Sequence, residues 1–388
     1  MKIVIAPDKF KGNMTAPQVC GIVKKAFQQH LPDAEIITLP MADGGEGTVH
    51  AVISAMNGQL HTVVVKGPLG SNVTAEFGTF RRSDGKLTGV MEMASASGLA
   101  LIPPEKRDIL KATTYGTGEV IKALLDMEVS EIIIGIGGSA TNDGGAGMAQ
   151  ALSCHLLDQE GRELPPGGGA LVHLAKIDVS EMDKRLKNVK FRVACDVTNP
   201  LLGANGATAI YGPQKGADSI SSPILEKGLA KLAEIWINDG MLENVTEEGD
   251  GAAGGLGAGL RAFCKAEKVS GARLVMELLE YEKHLQGADL VILGEGCTDS
   301  QTESGKICSE ASAVAGKHHV PVLLLSGALL GTAEGFAKNF DCAFSTSTGG
   351  HKNLEETLKA GKDDLYFTAS NIASLISIIR KQPTGRSL

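Results

Sequence analysis

The sequence predicts an α/β protein of two domains. One is a Rossmann-like parallel-sheet domain built from both chain ends, residues 1–63 and 286–388; the other is a large inserted Gly-rich α/β domain, residues 64–285. Three observations lead there. At 388 residues the chain exceeds the usual size of one domain. Apolar strands alternate with amphipathic helices at both ends, the pattern of parallel βαβ units. Between those ends the composition shifts to a hairpin pattern and long Gly-Ala runs.

The first strand is Ile3 to Ala6, after which Thr15 can cap a helix whose Val19, Ile22, Val23, Ala26 and Phe27 recur at helical spacing. Glu35 to Leu39 reads as the second strand. Val49, Val52, Ile53 and Met56 mark a second amphipathic helix. At the far end Ala288 to Leu293, Val320 to Leu325 and Cys342 to Ser345 read as strands buried on both faces, with helices after Lys306 and near Ala369 to Arg380. The insertion opens with His61 to Lys66, Gly67-Pro-Leu-Gly70 and Val73 to Phe80, a hairpin pattern, and closes with the Gly-Ala stretch Gly251 to Gly259.

Apolar residues make up 43% and aromatics only 4%, so the core must be aliphatic, and 49 glycines imply tight turns or backbone-lined sites. A formal charge of −8 with no Lys/Arg block argues against nucleic acid as a partner, and an anionic substrate would need a local basic site. Seven cysteines form no Cys-x-x-Cys pair, so neither a zinc site nor a disulfide framework is indicated. The chain shows no signal-peptide pattern and no apolar run long enough to span a bilayer, so a soluble, cytoplasmic protein is expected, with no membrane partner.

The most telling stretch runs from Glu131 to Leu152: a buried strand (Ile132 to Ile136), a loop of glycines and small polar residues, then a helix from near Ala146. Glycines at a helix mouth suit phosphate, because backbone N–H groups can approach its oxygens and the helix dipole adds attraction. The P-loop spacing is absent, since Gly305-Lys306 is followed by Ile307. A dinucleotide fingerprint is half met by Gly135, Gly137 and Ala140, with Asp158 near the distance of a ribose-binding acid, yet Thr141 to Gly145 prolongs the loop. A strand-to-helix turn whose glycines serve packing is the alternative.

Acids gather where strands end: Asp8 with Lys9 and Lys11, Asp43 and Glu46, Glu295 and Asp299 with Gln301, Thr302 and Lys306, and Asp196 after Phe191 to Cys195. Such groups hold Mg²⁺, take a proton or cap a helix.

Taken in order, Ala6-Pro-Asp-Lys-Phe-Lys11, Pro40 to Thr48, Tyr115-Gly-Thr-Gly-Glu119, Gly137 to Gly147, Asp196 to Gly203, Gly212-Pro-Gln-Lys-Gly216 and Gly294-Glu-Gly296 through Asp299 to Lys306 resemble the type I glycerate kinases. The matches run from residue 3 to about 350. The resemblance implies a cytoplasmic ATP-dependent kinase that phosphorylates D-glycerate at the 2-hydroxyl, with a two-domain α/β fold. Lys9 stands where members often have Ser, and Cys297 where they often have Arg; the second change removes a guanidinium from this loop.

Phosphoryl transfer needs positioning and charge neutralisation. On this resemblance Gly137, Gly138, Ser139, Thr141, Asn142, Asp143, Gly144 and Lys306 are assigned to ATP, and Asp196 and Asp299 to Mg²⁺ or the general base. Lys11 is assigned to catalysis, and with Asp8, Asp43, Glu46, Glu295, Gln301 and Thr302 also to glycerate. The rivals are an NAD(P)-dependent oxidoreductase, resting on Gly135, Gly137 and Asp158, and a non-catalytic two-domain protein that binds a small acid.

Overall fold

The structure, a computed structural model, describes residues 1–42, 47–299, 306–350 and 353–381. The chain forms two compact units, one from Met1–Asp43 with Ala272–Leu388, the other from Gly44–Gly271.

The first unit begins with β1 (Lys2–Ile5), α1 (Ala16–His30) and β2 (Glu35–Thr38). Helix α1 starts where the pattern predicts: the Thr15 hydroxyl accepts from the Gln18 N–H while the Gln18 side chain accepts from the Thr15 N–H, satisfying two end groups reciprocally. The chain then enters the second unit. There it forms α2 (Thr48–Ala55), β3 (Gln59–Lys66), β4 (Asn72–Arg81), β5 (Leu87–Glu92), α3 (Ala94–Ser97), α4 (Tyr115–Asp126), β6 (Glu131–Gly135) and α5 (Ala146–Ala151). After β7 (His155–Leu157), β8 (Lys176–Asp178) and β9 (Lys190–Ala194) come α6 (Ala207–Tyr211), α7 (Ser221–Asn238), α8 (Ala252–Cys264) and β10 (Glu267–Val269). It returns through α9 (Gly271–Leu278), α10 (Tyr281–Leu285), β11 (Leu290–Asp299), α11 (Lys306–Lys317), β12 (Val322–Leu330), α12 (Ala333–Phe336), β13 (Cys342–Ser345) and α13 (Leu354–Lys381).

The first unit is built on one parallel sheet, ordered β13-β12-β11-β1-β2. Ile3 to Ile5 pair with Leu290 to Ile292, so the two chain ends meet in the middle of this sheet, as the Rossmann-like expectation requires. Ile3, Ile5, Phe27, Ile292 and Leu325 share a core with Leu365 and Ala369 of α13. The second unit carries the order β10-β9-β6-β5-β4-β3, parallel from β10 to β5 and antiparallel at β4 and β3, plus the small antiparallel pair β7-β8. Its core is aliphatic but for a few rings, among them Trp236, which stands edge-on to Phe263 at 5.8 Å.

The unit borders differ from the expected 63 and 285. Helix α2 joins the second unit because Ile53 fills the space left by Gly78: a Cβ there would lie 2.3 Å from Ile53 Cγ1. Its Val49 N–H is also given to Glu92 of β5 (3.0 Å). Helices α9 and α10 join the first unit, where the fully buried Tyr281 donates from its hydroxyl to Ala311 O on α11 (3.1 Å). The Gly-Ala stretch from 251 is a buried helix, α8, with left-handed residues at Ala253, Gly254 and Gly255. Among the described residues no helix is long and apolar enough to cross a membrane.

Gly254 shows how tightly that kink is specified. Its φ is +67°, and a Cβ there would stand 2.0 Å from Thr141 O. Gly254→Ala adds left-handed strain to overpacking and should cost roughly 3 kcal/mol. Thermal melts of the two proteins check this, and an unchanged midpoint would contradict the packing described.

Candidate active site

In open parallel sheets ligands gather outside the carboxyl ends of strands where the strand order reverses. In the first unit that point lies between β1 and β11, since the chain moves one way from β1 to β2 and the other way from β11 to β12 and β13. Two of the singled-out segments meet there. Asp8 N–H donates to Gly294 O (2.8 Å). Gly296 lets the 7–11 loop approach, because a Cβ on it would lie 3.1 Å from Lys11 N and 3.3 Å from Phe10 Cα. Asp8, Lys9, Lys11 and Glu295 are thereby brought to one strand edge, with Asp299 at the end of β11. Lys11 and Cys297 are exposed, whereas Glu295 is buried.

Burial pushes the Glu295 carboxyl up to about 7, a hydrogen bond with Thr298 opposing and the negative charge of Asp8 adding to it. Thr298 Oγ1 lies 2.8 Å from Glu295 Oε1 and 3.0 Å from Ser326 Oγ, and Ser326 donates to Ala328 O (2.8 Å). Each hydroxyl has one proton. An ionised Glu295 accepts a hydrogen bond from Thr298; a protonated Glu295 donates to Thr298, whose own proton then turns to Ser326. Only the Thr298 hydroxyl turns with the charge of Glu295, since Ser326 donates to Ala328 O in either state, and the carboxyl can store and return one proton near neutrality.

In the second unit the glycine loop follows β6 as expected, but most of it is turned inward. Gly137 and Gly138 are exposed, whereas Ser139, Thr141, Asn142 and Asp143 are buried. Helix α5 has six residues, and the anion at its start is the protein's own. Asp143 accepts from Gly145 N (3.2 Å), Gly147 N (3.2 Å), Thr114 N (2.8 Å) and Thr114 Oγ1 (2.9 Å). The expected phosphate at this helix mouth is therefore replaced by a carboxylate. Burial raises the Asp143 pKa while these four donors hold it back, and four donors suit an acceptor-only ionised group. Gly144 serves packing: a Cβ on it would be 2.5 Å from Leu232 Cδ2.

Lys215 is the residue that sequence reading missed. It is buried, and donates to Ser139 Oγ (2.6 Å) and Thr141 O (2.7 Å), fastening the loop to the turn Pro213–Lys215. Its motif was quoted, but nothing in Gly212-Pro-Gln-Lys-Gly216 tells a buried lysine from a solvated one. Burial lowers its pKa to about 7, with Asp143 opposing the shift.

Asp196 belongs to the second unit and Asp299 to the first, so neither unit by itself unites them. Asp196 Oδ1 accepts from Gly271 N (3.0 Å) where the chain leaves the second unit. Asp43, Glu46, Gln301 and Thr302 lie outside the described residues, as does the side chain of Lys306, whose backbone opens α11. Asp158 is committed to its own turn, accepting from the Glu160 and Arg162 N–H groups and from Arg162 Nε, each at 2.9 Å. It follows β7, outside the sheet that contains β6, so the two halves of a dinucleotide fingerprint are not on neighbouring strands.

A family model for the glycerate kinase family matches residues 3–377. The chain belongs to the glycerate kinase family. It is 46% identical over 382 residues to a glycerate 2-kinase of Escherichia coli (strain K12), covering 97% of this chain and 98% of that one. It is 45% identical to a glycerate kinase of Bacillus subtilis (strain 168), covering 98% and 99%. A crystal structure described as a glycerate kinase 2 from Salmonella typhimurium LT2 superposes with a TM-score of 0.89 at 44% identity, covering 98% of this chain and all of that one. That agreement extends over both α/β units.

The buried lysine gives this family member a measurable pH response. With a folded pKa near 7 and an unfolded one in the ordinary lysine range, the unfolded chain binds the extra proton above pH 7. Folding is penalised below pH 7, and the penalty is relieved as pH rises from about 7 toward 10. Stability of the wild type relative to Lys215→Met should therefore rise across that window, by up to about 1.4 kcal/mol per pH unit. Paired denaturant melts at pH 7, 8 and 9 check it; parallel curves would show that Lys215 does not titrate there.

Proposed function

We propose that this protein transfers the γ-phosphoryl group of ATP to the 2-hydroxyl of D-glycerate, giving 2-phosphoglycerate. The observation that carries the reading is the meeting of Asp8, Lys9, Lys11 and Glu295 at the reversal point of a parallel sheet, within a chain of the glycerate kinase family. The name glycerate 2-kinase on the Escherichia coli relative supports the choice of hydroxyl.

Each part of the chemistry has a candidate group. Lys9 and Lys11 supply positive charge for the glycerate carboxylate, and Lys9 restores to this edge a cation that Cys297 does not provide. Glu295, poised near neutrality, accepts the proton of the attacking hydroxyl while the Thr298 hydroxyl turns from it to Ser326. Gly137 and Gly138, exposed at the end of β6, are the part of the glycine loop open to phosphate oxygens. Asp299, at the end of β11, would offer a carboxylate to Mg²⁺, while Asp8, beside Gly294, adds to the pressure against a second negative charge on Glu295. The ion would neutralise charge on the transferred group.

The test measures ADP release with ATP and Mg²⁺, with and without D-glycerate, across pH 5.5–8.5. Release should depend on glycerate and fall as pH is lowered through the Glu295 titration, near 7 in the ligand-free protein. Glu295→Gln should lower kcat by about a hundredfold or more and lose that acid limb. Equal ADP release without glycerate would sink the proposed activity, and an unaltered limb in the variant would remove Glu295 from it.

A further inference from the structure

The second unit contains a cavity of about 1360 Å³ that none of the assignments above uses. Its wall includes Thr113 and Tyr115, the latter opening the motif Tyr115-Gly-Thr-Gly-Glu119, which has been given no role so far.

Four lysines converge on it: Lys66 from the end of β3, Lys106 and Lys111 from the loop before α4, and Lys227 from α7. One acid, Asp108, stands against them, paired with Lys111 at 3.0 Å. This excess of positive charge occurs in a chain whose formal charge is −8. Between the lysines the walls are apolar, formed by Leu69, Leu110, Pro165, Pro166, Val172 and Ile224. The twelve-residue helix α4 begins at the same wall. The approach is close: Glu119 accepts from Lys66 N (2.6 Å), and a Cβ on Gly116 would stand 1.9 Å from Lys66 O. The lysine end of β3 is thus fixed over the start of α4.

The occupant must be anionic, to answer four lysines against the single acid of the wall, and must carry an apolar body, to cover the leucine, proline and isoleucine walls. The volume exceeds the roughly 300–1,000 Å³ of an ordinary small-molecule site, so a three-carbon acid or inorganic phosphate would leave most of it empty. We propose that this cavity binds a nucleoside phosphate, with its phosphates on Lys66, Lys106, Lys111 and Lys227 and its base against the apolar walls. If the occupant is the phosphoryl donor, the inference rests on the kinase reading and places the donor's body; if it is a regulatory nucleotide, binding stands apart from transfer.

The test titrates ADP calorimetrically into the wild type, into the double variant Lys111→Glu with Lys227→Glu, and into Gly138→Val. Both lysines are exposed, so the double variant should keep its melting temperature. Its ADP dissociation constant should rise at least tenfold. An accompanying rise in the KM for ATP at unchanged kcat identifies the donor; an unchanged KM identifies a second nucleotide. Wild-type protein that releases ADP in a glycerate-dependent way, yet whose ADP affinity survives the double change and is lost in Gly138→Val, would overturn the cavity proposal and leave the kinase reading standing. Lysine-dependent ADP binding without glycerate-dependent ADP release would do the reverse.

Discussion

The second unit depends on one buried carboxylate. Asp143 takes four hydrogen bonds, two from Thr114 at the start of α4 and two from the backbone of Gly145 and Gly147 at the start of α5. Thr114 Oγ1 in turn accepts from Met148 N (2.9 Å), so loop and two helix starts form one closed network. Removing the carboxylate would leave several buried donors without a partner, each costing about 1–3 kcal/mol. The tightness of the surrounding glycines follows from it. Gly147 admits no Cβ, since one would fall 2.0 Å from Thr113 Oγ1, and Gly259 admits none because Gly144 O would be 2.3 Å away.

That network explains why the glycine loop divides its labour. Its first two residues remain open beyond β6, while the rest is held inside by Asp143 and Lys215. The exposed backbone of Gly137 and Gly138 is the part of this loop left open to solvent. The first unit's sheet is parallel and the second's is mixed, and in each the singled-out acids and glycines follow parallel strands.

Much of this was legible in the sequence. The β-branched runs at both ends gave one parallel sheet, the 61–80 pattern gave the β3-β4 hairpin, and Asp8 and Glu295 were singled out from their places after strands. What stayed hidden has a common physical cause: periodicity shows that a face is buried, but not against what. The pattern of α2 fits either sheet, and only Gly78 opposite Ile53 decides it. Small polar residues in a glycine loop read equally as ligands or as a buried network, and Lys215 resembles any surface lysine until its two acceptors are placed. The basic cavity draws its lysines from three separate segments, so no local motif announces it.

The central claim is phosphoryl transfer to the glycerate 2-hydroxyl, and the product's phosphorus reports it directly. A phosphate on C2 is three bonds from a single proton and splits into a doublet in a proton-coupled ³¹P spectrum, whereas one on C3 faces two protons and gives a triplet. Purified protein incubated with ATP, Mg²⁺ and D-glycerate should convert the γ-phosphate signal into a new phosphomonoester doublet. A triplet would contradict the assigned hydroxyl, and inorganic phosphate alone, or untouched ATP, would contradict the transfer itself.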